Sequence, residues 1–260
     1  MGGAMERRGP WIEVPVRRVV GALLTVSGLL VVASFTGRCV EAASGCVPGS
    51  LRCLVFRAFD VQLEQNLTTR WSGALLLCAA LVSLGAAVEA RQGRRTQFLL
   101  WAALSVLSVV GSFDEMSSLH DRLNGPVKAV LGASAAGMRD AWIIPAAAVV
   151  TTAAVAMLPL LQDVSPRVRR LLFVSFGLFF SGALGVKAVE EILRLSGAHG
   201  TVGYAALASL EKLLELVGES LLVGAVLRHL GERGAAFHVA GGAAARELPG
   251  SPPLRIVAQR

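Results

Sequence analysis

The sequence predicts an all-α protein, a polytopic membrane helical bundle of six transmembrane helices. Three observations predict it. Hydrophobic residues fill 54% of the 260 positions and charged residues only 17%, where a soluble domain carries about 25% charged residues. Mean hydropathy is +0.61. The apolar residues gather into six runs, each close to the roughly 20 residues that cross a bilayer core. This composition argues against a water-soluble enzyme and excludes disorder over most of the chain.

Residues 1–18 read as a cytoplasmic N-terminus. The first run, 19–36, follows Arg7, Arg8, Arg17 and Arg18. It resembles a signal peptide in that respect, but at about 18 residues it exceeds the usual 7–15 residue apolar region. It is therefore expected to be a retained helix. The outer segment, 37–70, is the longest connection. Within it, 51–67 reads as an amphipathic helix lying in the interface, with Arg57, Asp60 and Glu64 on one face. Cys39, Cys46 and Cys53 also fall here. An outer surface permits disulfides, and three cysteines allow at most one bridge among themselves.

The remaining runs are 71–88, 98–113, 141–161, 171–193 and 202–227. Together, residues 19–230 form the six-helix transmembrane domain. The segment 231–260 is rich in Gly, Ala, Pro and Arg and reads as a flexible cytoplasmic tail. Trp11, Trp71, Trp101, Trp142 and Tyr204 lie near predicted span ends, where an aromatic belt would sit.

Orientation follows from counting basic residues by loop. With the N-terminus inside, fifteen of the 25 Lys and Arg are inside and eight outside, while Lys187 and Lys212 fall within spans. Both termini are then cytoplasmic. The net charge of +7 follows from this asymmetry. No nucleic-acid partner is implied, because no basic, aromatic-interleaved soluble module is present. The expected partner is the lipid bilayer. Gly177, Ser181 and Gly185 add a small-residue face suited to helix contact, including contact with a second copy.

The acidic residues carry the functional information. An ionisable group at a bilayer centre costs about 2.5–3.5 kcal/mol on insertion scales, so such groups usually face a bundle interior or a wet cavity. Asp114, Glu115 and His120 end the third run. Lys187, Glu190 and Glu191 end the fifth. Glu211, Lys212, Glu215 and Glu219 lie within the sixth. At 1.5 Å per residue, the acids lie about 19–30 Å from the inner ends of their helices, at one level in the outer half of the membrane. Glu211, Glu215 and Glu219 form one stripe, and Lys187 and Lys212 can reach acids three or four residues on. Ser105, Ser108, Ser112 and Glu115 make a polar seam.

These residues, with Glu64 as a cover, form the candidate ligand or ion site. One reading is a site for a proton, a cation or a small polar ligand, in which the acids bind and release and the lysines tune them. A second is a metal-dependent membrane enzyme acting on a lipid or small molecule. Its candidate divalent-metal ligands are Asp114, Glu115, His120, Glu211 and Glu215. The Glu-x-x-His pairs of di-iron bundles are lacking. A third is a non-catalytic assembly protein, and a structural ion-pair network is the plain alternative. No catalytic residue is assigned, and the residues leave open whether the protein is an enzyme.

Four strings carry a resemblance: E-Q-N-L-T-T-R-W-S (64–72), F-D-E-M-S-S-L-H-D (113–121), G-A-L-G (182–185) and L-E-K-L-L-E-L-V-G (210–218). They resemble a widespread group of bacterial multi-pass inner-membrane proteins with no assigned activity. The likeness covers most of the chain between Asp60 and Leu230. It implies localisation in a bacterial inner membrane and matching polar positions at Glu64, Asp114, Glu115, His120, Glu211 and Glu215. Lys212 departs from the acidic residue expected there. The late H-x-x-x-H pair of the alkaline ceramidase and adiponectin-receptor superfamily is lacking.

Overall fold

A computed structural model describes residues 12–63, 65–91, 94–132, 137–197, 200–234, 236–237 and 254–257. Nine helices occur among them: α1 (Val16–Ser44), α2 (Leu51–Phe59), α3 (Leu67–Ala90), α4 (Arg95–Ser117), α5 (Leu119–Leu131), α6 (Ile143–Met157), α7 (Pro166–Phe180), α8 (Lys187–Leu195) and α9 (Val202–Glu232). A 3-10 segment, Leu158–Asp163, follows α6. A π-helical segment, Ser181–Val186, carries α7 into α8.

Among the described residues, four helices are long and apolar enough to cross a membrane: Val16–Ser44, Leu67–Ala90, Arg95–Ser117 and the continuous Pro166–Leu195. The other two expected runs depart from the six-helix prediction for different reasons. α6 has 15 residues, about 22 Å of helix, which is short of a roughly 30 Å core. α9 has 31 residues, but Glu211, Lys212, Glu215 and Glu219 interrupt its apolar character.

α9 is the centre of the bundle. It packs against α1, α3, α7, α8 and the π segment, and residues from Leu222 to Leu227 are all buried. That environment explains its composition, since a helix surrounded by protein can carry charge where a lipid-facing one would not. The C-terminal half of α9 joins Leu100, Trp101, Leu104, Val168 and Leu172 in the main apolar core. Toward the opposite end the apolar packing thins to Val31, Leu75 and Leu216. The polar residues lie at that thinner end.

Local chemistry starts the helices where the chain needs them. Asn66 caps α3 by accepting the Thr69 N–H at 2.8 Å. Ser165 caps α7 from Val168, with Pro166 at the first helical position. Thr201 accepts the Tyr204 N–H at the start of α9. Such caps contribute about 1 kcal/mol each. Asn66 is buried in this role.

The segment 37–70 differs from expectation at both ends. α1 continues to Ser44, and Arg38 pairs with Glu41 at 3.0 Å on that extension. α2 stops at Phe59 and does not run on to 67. Asp60 turns the chain, its carboxylate accepting the Gln62 N–H at 3.1 Å while Arg38 approaches at 3.6 Å. Cys46 and Cys53 form a disulfide across the turn between α1 and α2, leaving Cys39 and Cys78 free.

One further expectation is corrected. Trp101 is fully buried against His229, with ring centroids 4.5 Å apart, and is no belt residue. Gly177 and Gly185 are exposed, and a Cβ at either would meet nothing within 4 Å. Within the segment expected to be a flexible tail, β3 (Leu254–Val257) pairs in parallel with β1 (Ile12–Pro15) and antiparallel with β2 (Ala236–Phe237).

Candidate functional site

The acids of α9 sit on its buried stripe. Glu211, Glu215 and Glu219 are all buried. Lys212 is the first hub. Its ammonium lies 2.7 Å from Glu115 Oε1 on α4 and 2.5 Å from Glu215 Oε2. Lys187 of α8 is the second hub, 3.2 Å from Glu211 Oε1 and 3.8 Å from Glu190 Oε2. Glu190 Oε1 is buried with no hydrogen-bond partner among the described residues.

Glu219 stands one turn further along the stripe. Its Oε1 accepts the Ser72 hydroxyl of α3 at 2.6 Å. Its Oε2 is buried with no hydrogen-bond partner among the described residues. Five carboxyls (Glu115, Glu190, Glu211, Glu215 and Glu219) thus share an interior with two ammonium groups.

Close helix approach builds this arrangement. A Cβ on Gly182 would stand 2.7 Å from the Glu211 carbonyl and 3.2 Å from Glu215 Cγ. A Cβ on Gly218 would meet the Ser175 carbonyl at 2.7 Å. Only glycine allows the two backbones to come so near. Gly182 belongs to the π segment, and Lys187 is the first residue after it. The π turn changes the phase of the helix at that point, and Lys187 and Glu190 face α9 beyond it.

Other predicted site residues lie elsewhere. Glu191 is buried but turns to the 137–140 loop, accepting the Arg139 N–H at 2.7 Å and the Arg194 guanidinium at 2.7 and 3.0 Å. It fastens that loop to α8 and takes no part in the cluster. Asp114 pairs with His120 at the α4–α5 joint, Oδ2 to Nδ1 2.9 Å and Oδ1 to the backbone N–H 2.8 Å. Ser118 makes the corner with φ 48°. The His120 ring also lies 4.7 Å from the Trp142 ring. Burial disfavours the imidazolium, but the hydrogen bond and charge of Asp114 outweigh it and hold the ring above its usual 6.5. α5 continues through Gly125 and Pro126. Glu64 lies outside the described residues.

The serine seam also has a different role. Ser105 donates to the Ala80 carbonyl at 2.9 Å and Ser112 to the Gly73 carbonyl at 2.8 Å. These hydroxyls tie α4 to α3. Sequence reasoning missed Ser72 and Asp140. Asp140 is buried and acts electrostatically on Lys187 and Glu190. Both are distant in sequence from the groups they serve, and no short-range spacing marks them.

As to metal, no group of three or more His, Cys, Asp or Glu among the described residues is arranged to hold an ion. Of the five candidate ligands, Glu115 and Glu215 converge on the Lys212 ammonium, Glu211 faces Lys187, and Asp114 and His120 face each other.

No curated protein and no solved structure matches the chain. A family model, described as Domain of unknown function (DUF8692), matches residues 23–230 and so spans α1 through nearly all of α9, acidic cluster included. The chain belongs to that family.

Proposed function

We propose that this is a membrane protein whose α4–α8–α9 cluster binds and passes protons. The observation that carries the reading is the imbalance of charge. Five carboxyls, four of them buried and Glu115 partly so, share that interior with two ammonium groups. Fully ionised, they would leave three uncompensated negative charges, and a low-dielectric interior does not support that. Protons or cations must make up the difference. Lys212 fills the space between Glu115 and Glu215 where a cation would stand. The geometry therefore favours protons over a metal ion, and proton handling over metal-dependent catalysis on a lipid or small molecule.

The topology that suits this function has six spans with both termini cytoplasmic. α6 and the 3-10 segment after it, 15 and 6 residues, together reach about 34 Å, enough for the fourth span. α9 is the sixth, enclosed by its neighbours. A bacterial inner membrane suits the distribution of arginines. The exposed face of Gly177, Ser181 and Gly185 supports a second element of the reading, self-association through close helix contact.

The test is proton flux in proteoliposomes under an imposed membrane potential, read with a pH-sensitive dye in the lumen. The wild-type protein should carry protons. A Glu115→Gln/Lys212→Gln variant, which removes one charge of each sign, should remain folded and lose most of the flux. Wild-type flux equal to that of empty vesicles would contradict the reading.

A further inference from the structure

We propose that the groove between the start of α1, the start of α7 and the end of α9 binds the phosphate-bearing headgroup of an anionic lipid. Arg17, Arg167, Arg170 and Arg228 line it, with Leu171 as its apolar wall, around a volume of about 400 Å³. That volume is ample for a phosphodiester and part of its glycerol.

Charge is the first argument. An arginine keeps its proton throughout the accessible pH range. Four guanidinium groups gathered from three helices repel one another. Arg228 has a carboxylate partner, Glu232, at 3.0 Å. Among the described residues, no carboxylate pairs with Arg17, Arg167 or Arg170. A bound anion would relieve that repulsion. The planar fork of arginine suits the oxygens of a phosphate.

Position selects the lipid over a free anion. Immediately along α7 from Arg170 and Leu171, Phe173 and Val174 are each 50% exposed. The groove therefore opens beside an apolar helix face, where a headgroup could sit among the arginines while its acyl chains lie along Phe173 and Val174. Basic pockets between membrane helices on the cytoplasmic side are suited to such headgroups.

This inference rests on the membrane topology proposed above and not on the proton cluster, since among the described residues no ion pair joins the groove to Glu211, Glu215 or Glu219. Native mass spectrometry of the full-length protein, offered phosphatidylglycerol or phosphatidylcholine, tests it. Phosphatidylglycerol should be retained preferentially. The Arg167→Gln/Arg170→Gln pair should weaken that retention roughly 10- to 30-fold, and Arg17→Gln alone should weaken it several-fold. The Arg91→Gln/Arg169→Gln pair removes the same charge from residues that do not line the groove, and it should change little.

Equal losses in the two pairs would overturn the proposal, as would equal retention of the two lipids. Complete displacement by inorganic phosphate would make the groove a soluble-anion site and would also overturn it. Flotation with vesicles separates the two failures. Protein that does not float would overturn the topology and this proposal together, whereas floating protein without lipid preference would overturn this proposal alone.

Discussion

Lys212 of α9 reaches across the bundle to Glu115 of α4, with Nζ 2.7 Å from Oε1. The two residues are 97 positions apart, and both are largely enclosed. This pair joins α4 to the central helix, which otherwise packs mainly on α1, α3 and α7.

Removing one partner should therefore be costly. Lys212→Met would leave Glu115 and Glu215 facing each other in a buried site, with an expected loss of about 3–5 kcal/mol. Thermal unfolding in detergent reads it. The Glu115→Gln/Lys212→Gln double variant should recover part of that loss, because only Glu215 is then left without its counter-ion.

Gly182→Ala should lower stability by about 1–3 kcal/mol, as an added methyl meets α9 backbone with nowhere to move. Gly185→Ala, three residues on and with open space around it, should be neutral or slightly stabilising. The same unfolding experiment compares them, and equal effects would remove Gly182 from the account of how the cluster is assembled.

The legibility of these features in the sequence was uneven. The stripe of Glu211, Glu215 and Glu219 was readable because a four-residue spacing survives any packing. Lys187 and Glu190 were readable for the same reason. Glu191 was misplaced, since its i+3 neighbour Arg194 and the Arg139 backbone N–H compete for it. The π segment leaves no mark in composition, only a change in hydrogen-bond register. The run 202–227 read as one span among six, and nothing local in its sequence said that it would be the helix the others surround. Ser72 and Asp140 act across long chain separations, and spacing rules see only neighbours.

The Asp114–His120 pair should give stability a pH dependence. The His120 ring is held above 6.5 in the folded protein. Its contribution is therefore fully present below 6.5, the ordinary value, and is lost as pH rises through the higher folded value. The stability difference between wild type and His120→Gln should shrink as pH is raised above 6.5. Its size should be on the order of 1 kcal/mol. Asp114→Asn should abolish this dependence, because Asp121 stands farther off at 3.9 Å.

The disulfide is checked by counting thiols. Alkylation of unfolded, unreduced protein should modify Cys39 and Cys78 only, and reduction should expose Cys46 and Cys53 as well. Cys46→Ser should loosen α2 while leaving the thermal transition of the bundle nearly unchanged, since α2 touches the bundle mainly through α1 and α3.

The central claim is that the cluster holds protons because its carboxyls outnumber its ammonium groups. Infrared spectroscopy of the reconstituted protein at neutral pH tests it most directly, through the carbonyl stretch of a protonated carboxyl. This band should be present and should weaken in both Glu211→Gln and Glu219→Gln. A spectrum with no such band at neutral pH, from protein that is folded and inserted, would contradict it.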